Sequence, residues 1–161
     1  MRASPALPWV GLAVRLIAAG IWLVAGVAKL ADLTSFKQEV AAYDVLPSSF
    51  VDVVAYGLPL LEVGLGIYLA VGLLVRPAAL LSVALMLLFI GVQAQAWARG
   101  LLIQCGCFGN LSRETVGAGS IVRDIALALP SVLLLLRPAR RLSLDQRLLG
   151  RPDAFAPGAG P

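Results

Sequence analysis

The residues of this sequence best suited to chemistry are its only two cysteines, Cys105 and Cys107, which are separated by Gly106. Such a unit can be a redox pair, half of a metal site or two structural thiols. A disulfide needs Cα atoms about 4.4–6.8 Å apart, and glycine permits the folded backbone that this spacing requires. A bridge across one residue would constrain the unfolded chain little, and labile disulfides are typically catalytic or regulatory. A redox pair is therefore favoured over a structural bridge.

A metal site is the second possibility for the two cysteines. Structural zinc usually takes four Cys or His ligands, whereas this chain has two Cys and no His. We therefore predict no metal site, although a dimer could supply four thiolates. Two free structural thiols are the third possibility. Arg99 or Arg113 could favour a thiolate electrostatically if either lies close to a sulfur.

Composition places the cysteines in a membrane protein. The chain has 161 residues, of which 60% are hydrophobic and 14% are charged, and its mean hydropathy is +0.90. Soluble domains carry about a quarter of their residues as charges. We predict an all-α, integral membrane four-helix bundle. The net charge of +4 comes from residues that flank apolar stretches, where they set topology, so we expect no nucleic-acid partner.

Four apolar stretches are each long enough to cross a bilayer. We predict spans at about 9–30, 51–75, 78–98 and 118–136, within a membrane domain of residues 1–137. The first stretch is too long for a signal peptide. A polar connection covers residues 35–49, a tight turn is expected at Arg76-Pro77, and the tail 138–161 is Arg-rich and then disordered.

The distribution of basic residues predicts the orientation of the bundle. Seven lie on the side of the two termini and four on the other side. Both termini should therefore be cytoplasmic, in a bacterial cytoplasmic membrane. The cysteine loop, which begins at Arg99, should face outward, where disulfides persist. Gln93, Gln95 and Trp97 approach the outer end of the third span. Trp97 suits an aromatic anchor at the outer interface, as Trp9 does at the inner one.

Ionisable residues inside the predicted spans are candidate functional groups by default. Glu62 lies near the middle of the second span, and Lys29 and Arg123 are its candidate partners. Arg15 lies nearer the cytoplasmic face, and Asp124 follows Arg123. These five residues form either structural ion pairs or a proton or quinone site beneath the cysteine loop.

Features spread over residues 9–137 resemble one family. They are Arg15, Gly20, Gly26 and Lys29 in the first span, Tyr43 to Pro47 in the connection, Pro59, Glu62, Gly64 and Gly66 in the second span, Arg76, Arg99-Gly100, the string Cys105-Gly106-Cys107-Phe108-Gly109, and Arg123-Asp124. In this pattern the chain resembles the redox-associated membrane proteins named after the methylamine utilisation protein MauE, within the wider DoxX-like group.

The resemblance implies thiol–disulfide handling outside the cytoplasm, together with an extracytoplasmic thioredoxin-like partner. Cys105 and Cys107 would be the exchanging pair, with Arg99, Gly106, Phe108 and Gly109 supporting the loop. Such a protein would support disulfide formation or maturation of secreted proteins. One cysteine pair cannot relay electrons across a bilayer alone, so a quinone is a possible acceptor. A non-catalytic assembly subunit of a membrane complex is the alternative, and a small-solute transporter is a weaker one.

Overall fold

The computed structural model describes residues 7–109 and 114–136. Within these ranges the chain forms five helices: α1 (Leu7–Ala31), α2 (Leu33–Ala42), α3 (Ser48–Val71), α4 (Val75–Ala98) and α5 (Ala118–Leu136). All but α2 are long and apolar enough to cross a membrane. The described residues contain no strand beyond one isolated bridge, between Gln104 and Thr115. The predicted all-α bundle of four spans is confirmed, whereas the predicted tail 138–161 lies outside the described residues.

The turn between the second and third spans lies earlier than the sequence predicts. Helix α3 ends at Val71 because Gly72 adopts a left-handed conformation (φ 75°) and donates its amide to Tyr68 O. Leu74 is also left-handed (φ 51°), and α4 starts at the next residue. Pro77 therefore lies in the first turn of α4, where the missing amide breaks no hydrogen bond, and the turn is not at Arg76-Pro77.

The polar connection after the first span contains a short helix, α2. Asp32 caps this helix by accepting hydrogen bonds from the Ser35 amide (3.0 Å) and hydroxyl (2.8 Å). Such a cap satisfies backbone donors that the first helical turn leaves unpaired. Phe36 is buried against the bundle, while Lys37 forms an exposed ion pair with Asp52 of α3. Helix α2 is thus held across one end of the bundle.

Close helix packing depends on two of the glycines. A Cβ at Gly26 would lie 2.7 Å from Val63 Cγ2, and one at Gly66 would lie 2.7 Å from Leu23 Cγ. These glycines let α1 and α3 approach closely, as small residues do in membrane helices. A Cβ at Gly20 or Gly64 would have no neighbouring atom within 4 Å, so close packing does not depend on these two glycines.

The core has two parts at opposite ends of the bundle. The larger, here called the apolar cluster, joins the middle of α1 and the first half of α4 to the end of α3 and α5. It comprises Ala18, Ala19, Trp22, Leu65, Leu69, Ala78, Ala79, Leu85, Met86 and Leu134. The smaller, here called the loop cluster, comprises Tyr43, Ala96, Cys105 and Val116. The cysteines therefore lie at the end of the bundle where α1 and α4 finish and α3 and α5 begin.

Candidate functional site

A narrow loop positions the two cysteines between α4 and α5. The Cys105 amide donates to Glu114 O and the Val116 amide donates to Ile103 O, each at 2.9 Å. Gly106 (φ 69°) and Gly109 (φ 50°) are left-handed, a conformation that glycine adopts without steric penalty. A Cβ at Gly109 would lie 3.0 Å from Ala28 O, so the loop rests directly on the end of α1.

The two thiols face each other and have different neighbours. Their Sγ atoms are 2.8 Å apart, in the dithiol form. Cys105 Sγ accepts a hydrogen bond from Arg123 Nη2 at 3.3 Å. Cys107 Sγ lies 3.0 Å from Asp124 Oδ2. One sulfur therefore contacts a cation and the other contacts a carboxylate.

These neighbours separate the acidities of the two thiols. A hydrogen bond from Cys107 lowers the pKa of Cys105, and the positive charge of Arg123 acts in the same direction. The pKa of Cys107 is raised because its proton is held by Cys105, because the thiol is buried and because Asp124 is close. A thiolate is the reactive form of cysteine. Negative charge is therefore favoured on Cys105, while Cys107 keeps the proton.

Asp124 is the centre of the hydrogen-bond network. Its Oδ2 accepts from Gln93 Nε2 at 2.6 Å, and its Oδ1 accepts from Arg123 Nε (3.1 Å) and Nη2 (3.0 Å). Gln93 Nε2 also lies 3.3 Å from Cys107 Sγ, and Arg123 Nη1 lies 2.6 Å from Glu114 Oε2. Asp124 is 2% exposed, so these donors replace the water that would otherwise solvate its carboxylate.

The ion pair between Lys29 and Glu62 supports the loop from below. Lys29 Nζ lies 2.9 Å from both carboxylate oxygens of Glu62 and donates to Cys107 O at 2.6 Å. It also lies 5.5 Å from the ring centroid of Phe36 and 5.7 Å from that of Phe89. Lys29 thus connects a membrane-embedded carboxylate to the backbone of the cysteine loop.

The charged residues predicted from the sequence form two groups. Of the two candidate partners of Glu62, Lys29 contacts it, whereas Arg123 instead pairs with Asp124 and Glu114. Arg15 is buried on α1, fourteen residues before Lys29 and so roughly 21 Å away along the helix axis at ~1.5 Å per residue. Arg15 therefore lies away from the cysteine site.

Residues of the connection and the loop complete the site. Tyr43 donates its hydroxyl hydrogen to Cys105 O at 2.8 Å, and burial raises the pKa of Tyr43, so the phenol remains a donor. Arg99 bonds to Asp44 Oδ2 at 3.1 Å and to Tyr43 O at 3.3 Å. The Phe108 ring centroid lies 5.5 Å from Arg123 Cζ. Arg99 therefore ties the loop to the end of α2, and neither sulfur bonds to it.

Sequence reasoning missed two of the contacting residues, Gln93 and Tyr43. Gln93, for which the sequence predicts only a position near the outer end of the third span, is 1% exposed and bonds to Asp124. Tyr43 precedes Cys105 by 62 residues, so no local motif connects them. A polar side chain within a long apolar span was the available signal for Gln93.

Three potential metal ligands meet at this point. Sulfur or carboxylate ligand atoms of Cys105, Cys107 and Asp124 all lie within 4.8 Å of one another. Structural zinc usually needs a fourth ligand. In addition, the Arg123 guanidinium bonds to both Cys105 and Asp124, so it supplies the positive charge that a metal ion would bring. The donor set fits a thiol pair better than a metal centre.

Comparison with known proteins adds the family. The family model described as "Methylamine utilisation protein MauE" matches residues 7–137. The chain belongs to the MauE family. The methylamine utilization protein MauE of Paracoccus denitrificans is 34% identical to it over 121 residues, which are 74% of this chain and 65% of that protein. The match thus spans just under two thirds of the length of that MauE protein. No solved structure matches the chain. Family membership and four apolar helices together make this a multi-pass membrane protein.

Proposed function

We propose that the protein exchanges thiols and disulfides through Cys105 and Cys107, and so supports disulfide formation or maturation of secreted proteins. The observation that carries this proposal is the unequal environment of two adjacent thiols, with Arg123 on one sulfur and Asp124 on the other. Two structural thiols would need neither contact. Perturbed thiols with specific charged partners are candidates for function.

The exchange follows from the positions of the charges. The Cys105 thiolate attacks a sulfur of the partner's disulfide, an S–S bond forms between the two proteins, and the partner's other sulfur leaves as a thiolate. Cys107 passes its proton to Asp124 and attacks Cys105, which releases the partner. The protein ends as a disulfide and the partner as a dithiol, with two electrons transferred. The reverse sequence oxidises the partner.

The more exposed of the two thiols is not the one that forms a thiolate more readily. Cys107 is the more exposed, since Cys105 is only 4% exposed. We assign the attack to Cys105 because exchange requires the thiolate, and the Arg123 contact stabilises negative charge there. The partner would then have to approach from the Arg123 side, where the Arg123 side chain is 26% exposed.

A thioredoxin-like protein outside the cytoplasm is the partner that we propose. The bias of basic residues supports an outward-facing cysteine loop. Leu102, three residues before Cys105, is 92% exposed and offers an apolar contact. The MauE relative is named for methylamine utilisation. For this chain we propose the exchange chemistry and no particular client protein.

Trapping the mixed disulfide tests the proposal. Purified protein in lipid nanodiscs, carrying Cys107→Ser, should form a stable adduct with oxidised thioredoxin that mass spectrometry detects and dithiothreitol releases. Cys105→Ser is the matched control and should form much less adduct. Adducts only in Cys105→Ser would reverse the roles of the sulfurs. If no variant forms an adduct, and the double Cys→Ser variant supports secretion of disulfide-bonded proteins as wild type does, the assembly-subunit alternative replaces the proposal.

The side of the membrane needs its own experiment. A membrane-impermeant maleimide added to intact cells after mild reduction should label the Cys105–Cys107 pair. In a variant lacking Cys105 and Cys107, the substitution Ser143→Cys in the predicted cytoplasmic tail should give labelling only after permeabilisation. The opposite labelling pattern would place the loop in the cytoplasm.

A further inference from the structure

An apolar cavity of about 430 Å³ leads from the side of the bundle to the cysteine pair. It lies between α2, α3 and α4, where α3 and α4 contact each other much less than α1 contacts α3. Its walls include Val53, Leu61, Leu88 and Phe89, and its inner end is formed by Cys105 and Cys107. The volume is within the ~300–1,000 Å³ typical of small-molecule pockets.

The cavity opens toward the lipid. Three residues that line it are also largely exposed on the apolar surface of the spans: Val53 (65%), Leu61 (41%) and Leu88 (57%). A molecule dissolved in the bilayer can therefore enter sideways, between α3 and α4. Entry of a charged or strongly polar solute would be unfavourable, because the apolar walls cannot replace the water that solvates it.

Two polar atoms at the inner part of the cavity have no hydrogen-bond partner among the described residues. They are Gln93 Oε1, on a side chain that is 1% exposed, and the buried atom Glu39 Oε2. Both residues line the cavity. Buried polar atoms normally have partners, so these two mark positions where a ligand with its own polar atoms would fit.

Burial raises the pKa of Glu39. A protonated carboxyl group at this position would donate a hydrogen bond, whereas Gln93 Oε1 can only accept one. When Glu39 is protonated, the cavity presents one donor and one acceptor next to a dithiol, inside an apolar wall. These features match an apolar ring whose oxygen atoms are carbonyls in its oxidised form and hydroxyls in its reduced form.

We propose that this cavity binds a bilayer quinone, which accepts the electrons of the Cys105–Cys107 dithiol. This inference rests on the proposed exchange function, because the dithiol must be formed by reducing the disulfide with the partner's electrons. The chain has only two cysteines, so a second thiol pair of its own cannot receive those electrons.

The reaction balances without another reagent. Cys105 and Cys107 lose two electrons and two protons and form an S–S bond. The quinone gains two electrons and two protons and becomes a hydroquinone. Glu39 donates one proton to a quinone oxygen and is reprotonated by the Cys107 proton. The second proton is the one that Cys105 releases to water when it ionises; it is taken up by the other quinone oxygen, whose hydroxyl group then donates to Gln93 Oε1.

The test measures quinone reduction and protein exchange separately. Reduced protein in nanodiscs is mixed without oxygen with a short-chain ubiquinone. Wild type should lose two thiols for each hydroquinone formed. Gly57→Leu should reduce the rate at least tenfold, because Gly57 lines the cavity and has nothing within 4 Å of its Cβ position. Gly64→Leu is the matched control on the same helix; it too has open space, lies outside the cavity and should keep the wild-type rate.

Both variants should still exchange with oxidised thioredoxin. If wild type exchanges with thioredoxin but does not reduce the quinone, the quinone site is overturned and the exchange function stands. An equal quinone rate in Gly57→Leu and Gly64→Leu would also overturn the site. If wild type reacts with neither reagent, the exchange function fails as well.

Discussion

The two ends of the bundle are stabilised by different forces. At the apolar cluster, residues such as Trp22, Leu69 and Leu134 are at most 1% exposed and pack against other apolar side chains. At the cysteine end, Lys29 (1% exposed) and Asp124 (2% exposed) are also buried, and each bonds to several polar atoms. Lipid is as apolar as leucine, so packing rather than water exclusion stabilises the apolar cluster. The cysteine end depends on directional contacts, which makes it less tolerant of substitution.

Removing a sulfur should produce the largest functional difference between the two ends. Double replacement of Cys105 and Cys107 by Ser should abolish exchange with oxidised thioredoxin, because no other thiol is present. Leu69→Ala, in the apolar cluster, should leave the exchange rate within about twofold of wild type once the protein is folded. Stopped-flow measurement of thioredoxin reduction in nanodiscs checks both. A comparable loss in Leu69→Ala would show that the two ends are functionally coupled.

Breaking the buried ion pair should produce the largest difference in stability. Glu62→Gln leaves Lys29 without its carboxylate and should destabilise the fold by ~3–5 kcal/mol, as removal of one partner of a buried pair does. Leu69→Ala should cost less, near the lower end of the ~2–5 kcal/mol observed for such truncations, because its side chain remains in lipid after unfolding. Unfolding in mixed micelles with increasing denaturing detergent gives both values.

A double-mutant cycle provides the control for the ion pair. The effect of Glu62→Gln should shrink in the Lys29→Met background, because the uncompensated charge is gone. It should not shrink in the Arg123→Gln background, since Arg123 pairs elsewhere. Simple additivity with Lys29→Met would indicate that Glu62 has a role other than pairing.

Removing Arg123, the cation beside Cys105, should have a smaller effect, which is on the reaction rate of the Cys105 thiol. Because Arg123 helps to lower the pKa of Cys105, Arg123→Gln should raise that pKa and reduce the thiolate fraction at neutral pH. We expect alkylation of Cys105 at pH 7 to slow on the order of tenfold, the size of one charge-assisted hydrogen bond. The profile of alkylation rate against pH should shift to higher pH. Arg99→Gln, which removes a loop cation that bonds to Asp44 instead, is the control and should leave the profile in place.

The smallest expected effect is that of replacing Glu39, which lines the cavity, on the rate of quinone reduction. Its raised pKa keeps the carboxyl protonated to higher pH than an ordinary glutamate, so its proton is available below that pKa and is lost above it. Quinone reduction should therefore rise with pH as Cys105 ionises and fall again as Glu39 ionises. Glu39→Gln should remove the falling limb and slow the maximum rate a few-fold. An unchanged profile in Glu39→Gln would exclude Glu39 as the proton donor.

The sequence predicts the scaffold of this site better than its contacts. The spans follow from hydropathy, and the pairing of Glu62 with Lys29 was one of two choices that helix depth allowed. The contact between Cys107 and Asp124 depends on the rotation of α5 beneath the loop, which hydropathy does not determine. The early turn after α3 depends on Leu74, whose left-handed backbone is rare for a branched side chain. Long-range contacts such as that between Tyr43 and Cys105 have no local signature.

The hydrogen bond from Lys29 to the Cys107 carbonyl has a consequence for protein engineering. The Cys-Gly-Cys segment is not a portable motif that could be grafted onto another four-helix scaffold. A successful transplant would also have to bring the end of α1 with Lys29, its counter-charge Glu62, and the donors Gln93 and Tyr43 that hold the segment in place. With Arg123 and Asp124 of α5, which contact the sulfurs, the functional unit is spread over four helices and the connection after α2. Its reactive atoms nevertheless span only three residues.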